Sequence, residues 1–323
     1  MNEPKSLQEA IIYFSNPDNC VAYITARRWR NSVTCPGCGS HKVKFNPKRR
    51  TWQCSTHHAK REFSVKVGTV MEDSAISLDK WLTAMWMVAN CKNGVSSWEI
   101  HRALRITQKS AWFMLQRLRL ALQTNSTVKL GGSGSEVEVD ETFIGGKARN
   151  MHAGETRRRK INATGTGGKD AVLGLLERGG KVRASVVPNR RRAALHGEIN
   201  KHVEPGSAVY TDDFMSYLGL PDHFAHSFVD HAERYVHGKV HTNGLENFWS
   251  LLKRGLKGTY ISVEPFHLFR YVDEQAWRYN NRATKENPMN DSDRFDLAVS
   301  QIVGKRLTFA EVTGKVGETA EPF

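Results

Sequence analysis

Residues 131–140 read Gly-Gly-Ser-Gly-Ser-Glu-Val-Glu-Val-Asp, and two physical signals meet there. Gly131 to Ser135 have the composition of a flexible linker. Val137 and Val139 then alternate with Glu136, Glu138 and Asp140, the period of two that a half-buried strand needs. The stretch predicts a boundary between a helical region before it and a mixed α/β region after it.

Beyond the boundary, Ala171 to Leu176 and Val182 to Val187 give further strand-like runs. A helix is expected from about Ala193 to His202, and a short strand, Ala208 to Asp212, ends on acids. Later helices are expected near Leu245 to Arg254 and Pro265 to Arg282. Before the boundary, Ser6 with Glu9 predicts a capped helix, and Asn16-Pro17 predicts a second. Three more are read over Leu78–Asn90, Ser96–Leu104 and Thr107–Leu122, with a very short gap between the last two. In the last, Ala111, Leu115, Leu118 and Leu122 form an apolar stripe that leaves Gln108, Lys109, Gln116, Arg117 and Arg119 off it. That pattern fits a helix-turn-helix with a basic outer face, and equally an ordinary three-helix core.

The chain has 323 residues, with 47 Lys and Arg against 33 Asp and Glu, a formal charge of +14. A hydrophobic fraction of 39% and 8 Trp exclude a disordered basic tail. Residues 1–60 carry ten basic residues against three acids, and residues 147–192 carry thirteen against three. Such an excess points to a polyanion. The longest apolar stretch, Trp81 to Cys91, is about half of the roughly 20 residues a bilayer span requires. With no signal-peptide pattern at the start, a cytoplasmic protein is expected, and five cysteines there are thiols or metal ligands rather than a disulfide framework.

Cys35-Pro36-Gly37-Cys38 is followed by fifteen residues and then by Cys54, with His57 and His58 close behind. Two short turns carrying Cys and His at this spacing suit a tetrahedral zinc ion. His58 is the expected fourth ligand, with His57 the alternative. The ion would be structural, holding a basic hairpin of Lys42, Lys44, Lys48, Arg49 and Arg50. A second set is acidic: Asp140 and Asp212 at strand ends, and Glu246 in the helix Asn243-Gly244-Leu245-Glu246-Asn247-Phe248-Trp249. Carboxylates converging from separate elements are what hard divalent cations need. On that helix Leu245, Phe248 and Leu252 share the core stripe, while Glu246 and Lys253 lie two turns apart on another face.

These residues resemble a family, the insertion-sequence transposases of the IS1595 type. The likeness is carried by the CPGC ribbon, FSVKVGT at 63–69, KNGVSSWEIHRAL with AWFMLQRLR, VDETFIGGK at 139–147, VYTDD at 209–213, HTNGLENFWSLLKRG at 241–255 and RYNNR at 278–282. The resemblance implies an α/β fold: an RNase H-like DDE catalytic domain preceded by a small zinc ribbon and an all-α helix-turn-helix region. It divides the chain into helices at 1–34, the ribbon at 35–70, the helix-turn-helix at 71–130, the catalytic domain at 131–290 and an extension at 291–323.

The resemblance further implies that Asp140, Asp212 and Glu246 hold two Mg2+ or Mn2+ ions, with Asn243 the alternative third ligand, and that Lys253 contacts DNA. The expected function is binding of terminal inverted repeats, then two-metal cleavage and strand transfer by a nucleoid-associated homodimer or larger assembly acting on repeats and target DNA. Lys109, Gln116 and Arg117 are expected in a groove, and Arg157, Arg158, Arg159 and Lys160 on phosphates. The competing readings are a DNA-binding regulator without catalysis and an RNase H-like nuclease acting on RNA-containing duplexes. His223, His226, His231, His237 and His241 are read as surface or DNA-contacting residues.

Overall fold

The computed structural model describes residues 3–124, 126–145, 154, 168–212, 214–229 and 240–315. The chain forms two compact units. One holds residues 1–123 together with 281–323, and the other holds 124–280.

The first unit opens with α1 (Leu7–Phe14) and α2 (Pro17–Arg28). They start where the sequence places them: the Ser6 hydroxyl accepts from the Glu9 amide, and Asn16 caps a helix with Pro17 in its first turn. A three-stranded antiparallel sheet follows, β1 (Val43–Asn46), β2 (Thr51–Cys54) and β3 (Glu62–Phe63). Then come α3 (Leu78–Asn90), α4 (Ser97–Leu104) and α5 (Gln108–Leu122). Ser96 and Glu99 make the expected capping box. Arg105, in the left-handed region at φ 49°, ends α4. Residues 281–323 return to this unit through α9 (Asp291–Ser300) and α10 (Phe309–Val312). Phe295 is buried against the rings of Phe14, Tyr23 and Trp86. Arg27 and the Tyr23 hydroxyl both reach the Asp296 carboxylate. The closing segment is therefore core material for the first unit, not an extension of the second.

The second unit is built on a five-stranded sheet. Its strands are β5 (Glu136–Ile144), β6 (Asp170–Glu177), β7 (Val182–Val187), β9 (Ala208–Asp212) and β10 (Ala225–Val229), in the order β10-β9-β5-β6-β7. The pairs β5–β6 and β6–β7 are antiparallel, whereas β9 runs parallel to β5 and β10 parallel to β9. Odd-numbered Val137, Val139, Leu173 and Leu175 face one core, with Leu195 and Ile199 of α6 (Arg192–His202). Even-numbered Val172 and Leu176 face the other, with α7 (Asn243–Arg254) and α8 (Leu268–Asn280). Glu138, Asp140 and Thr142 share that second face by the alternation of the strand.

The glycine-serine run lies inside this unit, contrary to its reading as a linker. Leu130–Gly131 (β4) pairs in parallel with Val203–Glu204 (β8). The Gly132 amide donates to the Ser207 hydroxyl at 2.8 Å. Gly131 has φ +82°, and a Cβ there would sit 2.4 Å from Ser207 Oγ. These glycines meet conformational and steric demands within a packed turn, so their number reflects a tight turn and not a flexible joint.

Candidate active site and metal centre

The zinc ribbon brings Cys35, Cys38, Cys54 and His58 together, with ligand atoms all within 4.8 Å of one another. Cys38 Sγ and Cys54 Sγ are 3.7 Å apart, and Cys35 Sγ is 3.4 Å from His58 Nε2. A tetrahedral zinc ion with Zn–S near 2.3 Å would set its sulfurs about 3.8 Å apart and its sulfur–nitrogen edge at about 3.6 Å. The cluster fits such an ion. Burial acts to raise the Cys54 thiol, but hydrogen bonds from His58 and the Thr56 amide outweigh it and bring it to about 6, toward the thiolate that zinc binds. His57 is exposed and lies outside the cluster. On the adjoining hairpin Lys42, Lys44 and Lys48 are exposed, while Arg49 pairs with Glu62 and Arg50 with Asp18.

In the second unit, Glu136 pairs with Ala208 and Glu138 with Tyr210 across parallel strands. Two residues beyond the last paired residues, Asp212 is the final residue of β9, whereas Asp140 lies in the middle of β5 and not at a strand end as expected. Burial pushes the Asp140 carboxyl up to about 7, opposed by a hydrogen bond from Trp249 and assisted by the charges of Asp212 and Glu141. Both its oxygens are held: Trp249 Nε1 donates to Oδ2 at 2.9 Å, and the Glu141 amide donates to Oδ1 at 2.8 Å. Asp212 Oδ1 accepts from the Phe214 amide at 3.2 Å.

Helix α7 is docked onto this strand by three residues that the sequence reading passed over. Glu138, 1% exposed, accepts from the Leu245 amide at 3.0 Å, placing a buried carboxylate at the helix N-terminus. Arg178 supports Glu138 at 3.0 Å and Glu136 at 2.9 Å. Gly174 faces Asp140 across the β5–β6 ladder, and a Cβ there would meet Trp249 at 2.6 Å and Leu245 at 2.7 Å. The missing side chain lets the indole lie on the sheet and reach Asp140. An acid on the same strand face as Asp140 and a glycine in an apolar strand were the signals available for Glu138 and Gly174.

Glu246 and Asn243 are exposed on the first turns of α7, and Lys253 is half-buried near its end. Glu246 precedes Trp249 by three residues and Lys253 follows it by four, so both flank the edge of the helix that touches Asp140. Among the described residues, no group of three carboxylates comes within ligand distance; the zinc cluster alone meets that test. Asp140 and Asp212 have the donor chemistry of a hard-cation site, and Glu246 stands outside their immediate group.

Helix α5 departs from the expectation of a basic outer face. Gln116 and Arg117 are buried, at 0% and 6% exposure, and so is Arg119. Arg117 donates to the carbonyl oxygens of Leu307 at 3.0 Å and Glu72 at 2.9 Å. The returning segment covers this half of the helix, so Gln116 and Arg117 are interior residues and not groove contacts. Lys109 is exposed, its ammonium 4.7 Å from the centre of the Phe309 ring. Arg157, Arg158, Arg159 and Lys160 lie outside the described residues, as do His231 and His237.

The family model of the ISXO2-like transposase domain matches residues 129–280, and that of the transposase zinc-ribbon domain matches residues 15–57. The chain belongs to the IS1595 family of transposases. It is 37% identical over 106 residues to a transposase-like protein of Haemophilus influenzae, covering 32% of this chain and 85% of that relative. It is 28% identical over 242 residues to a protein in the transposable element ISH50 of Halobacterium salinarum, covering 71% of this chain and 79% of that relative. For this IS1595-family chain, the transposase domain model takes in the whole five-stranded sheet with α7 and α8, and the ribbon model reaches from α2 through Cys54. No helix among the described residues is long and apolar enough to cross a membrane.

Proposed function

We propose that the protein is a DDE transposase that binds the terminal inverted repeats of its element and cleaves and joins DNA strands in a metal-dependent reaction. The observation that carries this reading is the placement of Asp140 and Asp212 on neighbouring parallel strands, with Asp140 half-buried, held at both oxygens and within reach of the Asp212 charge. The strand order, three antiparallel strands followed by two that run parallel with the first, supports an RNase H-like fold.

A divalent cation, Mg2+ or Mn2+, at this pair would stabilise charge on the phosphate and acidify the attacking hydroxyl. Asp140 and Asp212 would hold it, with Glu246, or Asn243 as a neutral donor, supplying a third ligand from α7. Asp140 would have to be ionised to serve as a ligand, so its raised carboxyl predicts weaker cation binding below about pH 7. The Trp249 N–H and the Glu141 amide fix its oxygens so that it ligates without turning. Lys253, two turns beyond Glu246, neutralises a neighbouring phosphate. Because water or a terminal 3′ hydroxyl is the nucleophile, no side chain needs to form a covalent bond, and one site serves both cleavage and strand transfer.

Zinc-ribbon residues and the α4–α5 pair bind DNA in this reading. In that pair the exposed side chains of Arg102, Arg105 and Lys109 replace Gln116 and Arg117 as the candidates, and the Arg157–Lys160 stretch adds phosphate contacts. Holding two element ends calls for at least a dimer, working on cytoplasmic, nucleoid DNA.

The test is nicking of a duplex carrying the sequence that flanks the coding region, with Mg2+ or Mn2+, by wild type, Asp140→Ala, Asp212→Ala and Glu246→Ala. Loss of nicking in the two aspartate variants is expected, together with a fall of at least about a hundredfold for Glu246→Ala. Unchanged nicking in all three would remove the assignment.

A further inference from the structure

Ile261 is the most exposed of the large apolar side chains among the described residues, at 82%. Its backbone is at φ 62°, ψ −56°, and the Ser262 amide donates to the Tyr260 carbonyl at 2.7 Å. This is a γ-turn of the positive-φ kind, rare and strained, and more so for a β-branched residue. Such strain persists where the surroundings over-determine it. On one side, Gly255–Tyr260 winds as a π-helix continuing α7, with Leu256 buried. Tyr260 donates to the Glu274 carboxylate at 2.5 Å and packs on Tyr271 with ring centres 4.7 Å apart. On the other side, Val263 packs against the same core. Tyr260 and Val263 are pinned, and Ile261 is held out between them.

The segment that leads to Ile261 is cationic. Between Glu246 and Glu264 the chain has no acid, and it carries Lys253, Arg254 and Lys257. Arg254 and Lys257 are exposed. Helix α7 runs in the same sense as β5, since Leu245 meets Glu138 and Trp249 meets Asp140. Its C-terminal end therefore points beyond Asp140, in the direction in which the parallel strand β9 ends at Asp212. Ile261 is twelve residues after Trp249, at most about 18 Å along the helix, or roughly five base pairs of DNA.

We propose that Ile261 is an apolar wedge that enters duplex DNA between two base pairs, beside phosphates held by Lys253, Arg254 and Lys257; this rests on the transposase reading above. One isoleucine, in a stretch whose exposed charges are Arg254, Lys257 and Glu264, buries far less than the roughly 1,000 Å² a protein partner needs. It is enough to part a base step, a use to which Ile, Leu and Met are put in DNA-bending proteins. A rigid turn enters without first losing conformational freedom, which gives the strained backbone a purpose.

The test uses the full-length protein and duplexes of the sequence flanking the coding region, with 2-aminopurine placed in turn at each position near the end. Wild type should brighten the probe several-fold at one position, within reach of the nicked phosphate. Ile261→Leu should keep that signal. Ile261→Gly removes the side chain and relieves the positive φ, so it should melt no lower than wild type and still bind DNA by anisotropy through the neighbouring cations, yet lose the brightening. Brightening by Ile261→Gly equal to wild type overturns the wedge. So does a wild type that binds and nicks without brightening, or an Ile261→Gly variant that loses self-association in sedimentation with its DNA signal intact, which would assign the tip to a second copy. A wild type that neither binds nor nicks these duplexes removes the transposase reading and the wedge with it.

Discussion

Asp140 carries the sharpest expectations of any single residue. Its carboxyl is pushed up to about 7, whereas in the unfolded chain it titrates near 3.8. Between those values the folded protein keeps a proton that the unfolded chain has lost. Stability therefore falls as pH rises from about 4 to about 7 and levels off above. In metal-free thermal melts, Asp140→Asn should gain on wild type progressively through that window, with a constant difference above it. A difference independent of pH would mean that Asp140 is ionised throughout. Trp249→Phe keeps a ring in place but removes the N–H to Asp140. Mn2+ binding measured by titration calorimetry should weaken by about tenfold, as for other residues that orient a metal ligand. Gly174→Ala drives a Cβ into Trp249 and Leu245 and should cost roughly 1–3 kcal/mol in urea unfolding.

Among the elements, α5 is set partly by local chemistry and partly by what packs on it. Its ends and its cap at Thr107 follow from local chemistry, and the structure agrees with them. Its exposed face does not follow, because a stripe of Ala111, Leu115, Leu118 and Leu122 fixes one buried side and says nothing about what covers the other. Arg117 satisfies two backbone carbonyls from inside the unit. Arg117→Met should lower stability by roughly 2–3 kcal/mol by chemical denaturation. DNA affinity of the folded protein should stay as it was; a selective loss of DNA binding with stability intact would return Arg117 to a groove. The ribbon is the opposite case: its ligands lie close together along the chain, so their spacing alone named Cys35, Cys38 and Cys54. The sequence also preferred His58 over His57 as the fourth ligand, and His58 is the one in the cluster.

For the whole molecule, the division into units differs from the one that composition suggested. Residues 281–323 bring Phe295 and Asp296 to α1 and α2, and Lys305 to the last carbonyls of α5, those of Ala121 and Gln123. Deleting 281–323 should therefore damage the first unit, read as rapid proteolysis within residues 1–123, while the 124–280 unit stays resistant. Resistance of both units would show that the returning segment is dispensable.

By itself the sequence determined most helices, the strands β5, β6, β7 and β9, the zinc ligands with His58 preferred, and the acids worth testing, because caps, periodicity and short-range spacing are local; β4, β8, β10, α9 and α10 were not legible in it. The family likeness rests on the same residues, matched in order along the chain. Tertiary structure alone decided that Asp140 and Asp212 lie on adjacent parallel strands and that Trp249 reaches the first through the space left by Gly174. It also decided that Gln116 and Arg117 are interior. Those facts depend on which surfaces meet when distant segments pack, and burial of one segment by another leaves no local mark in either.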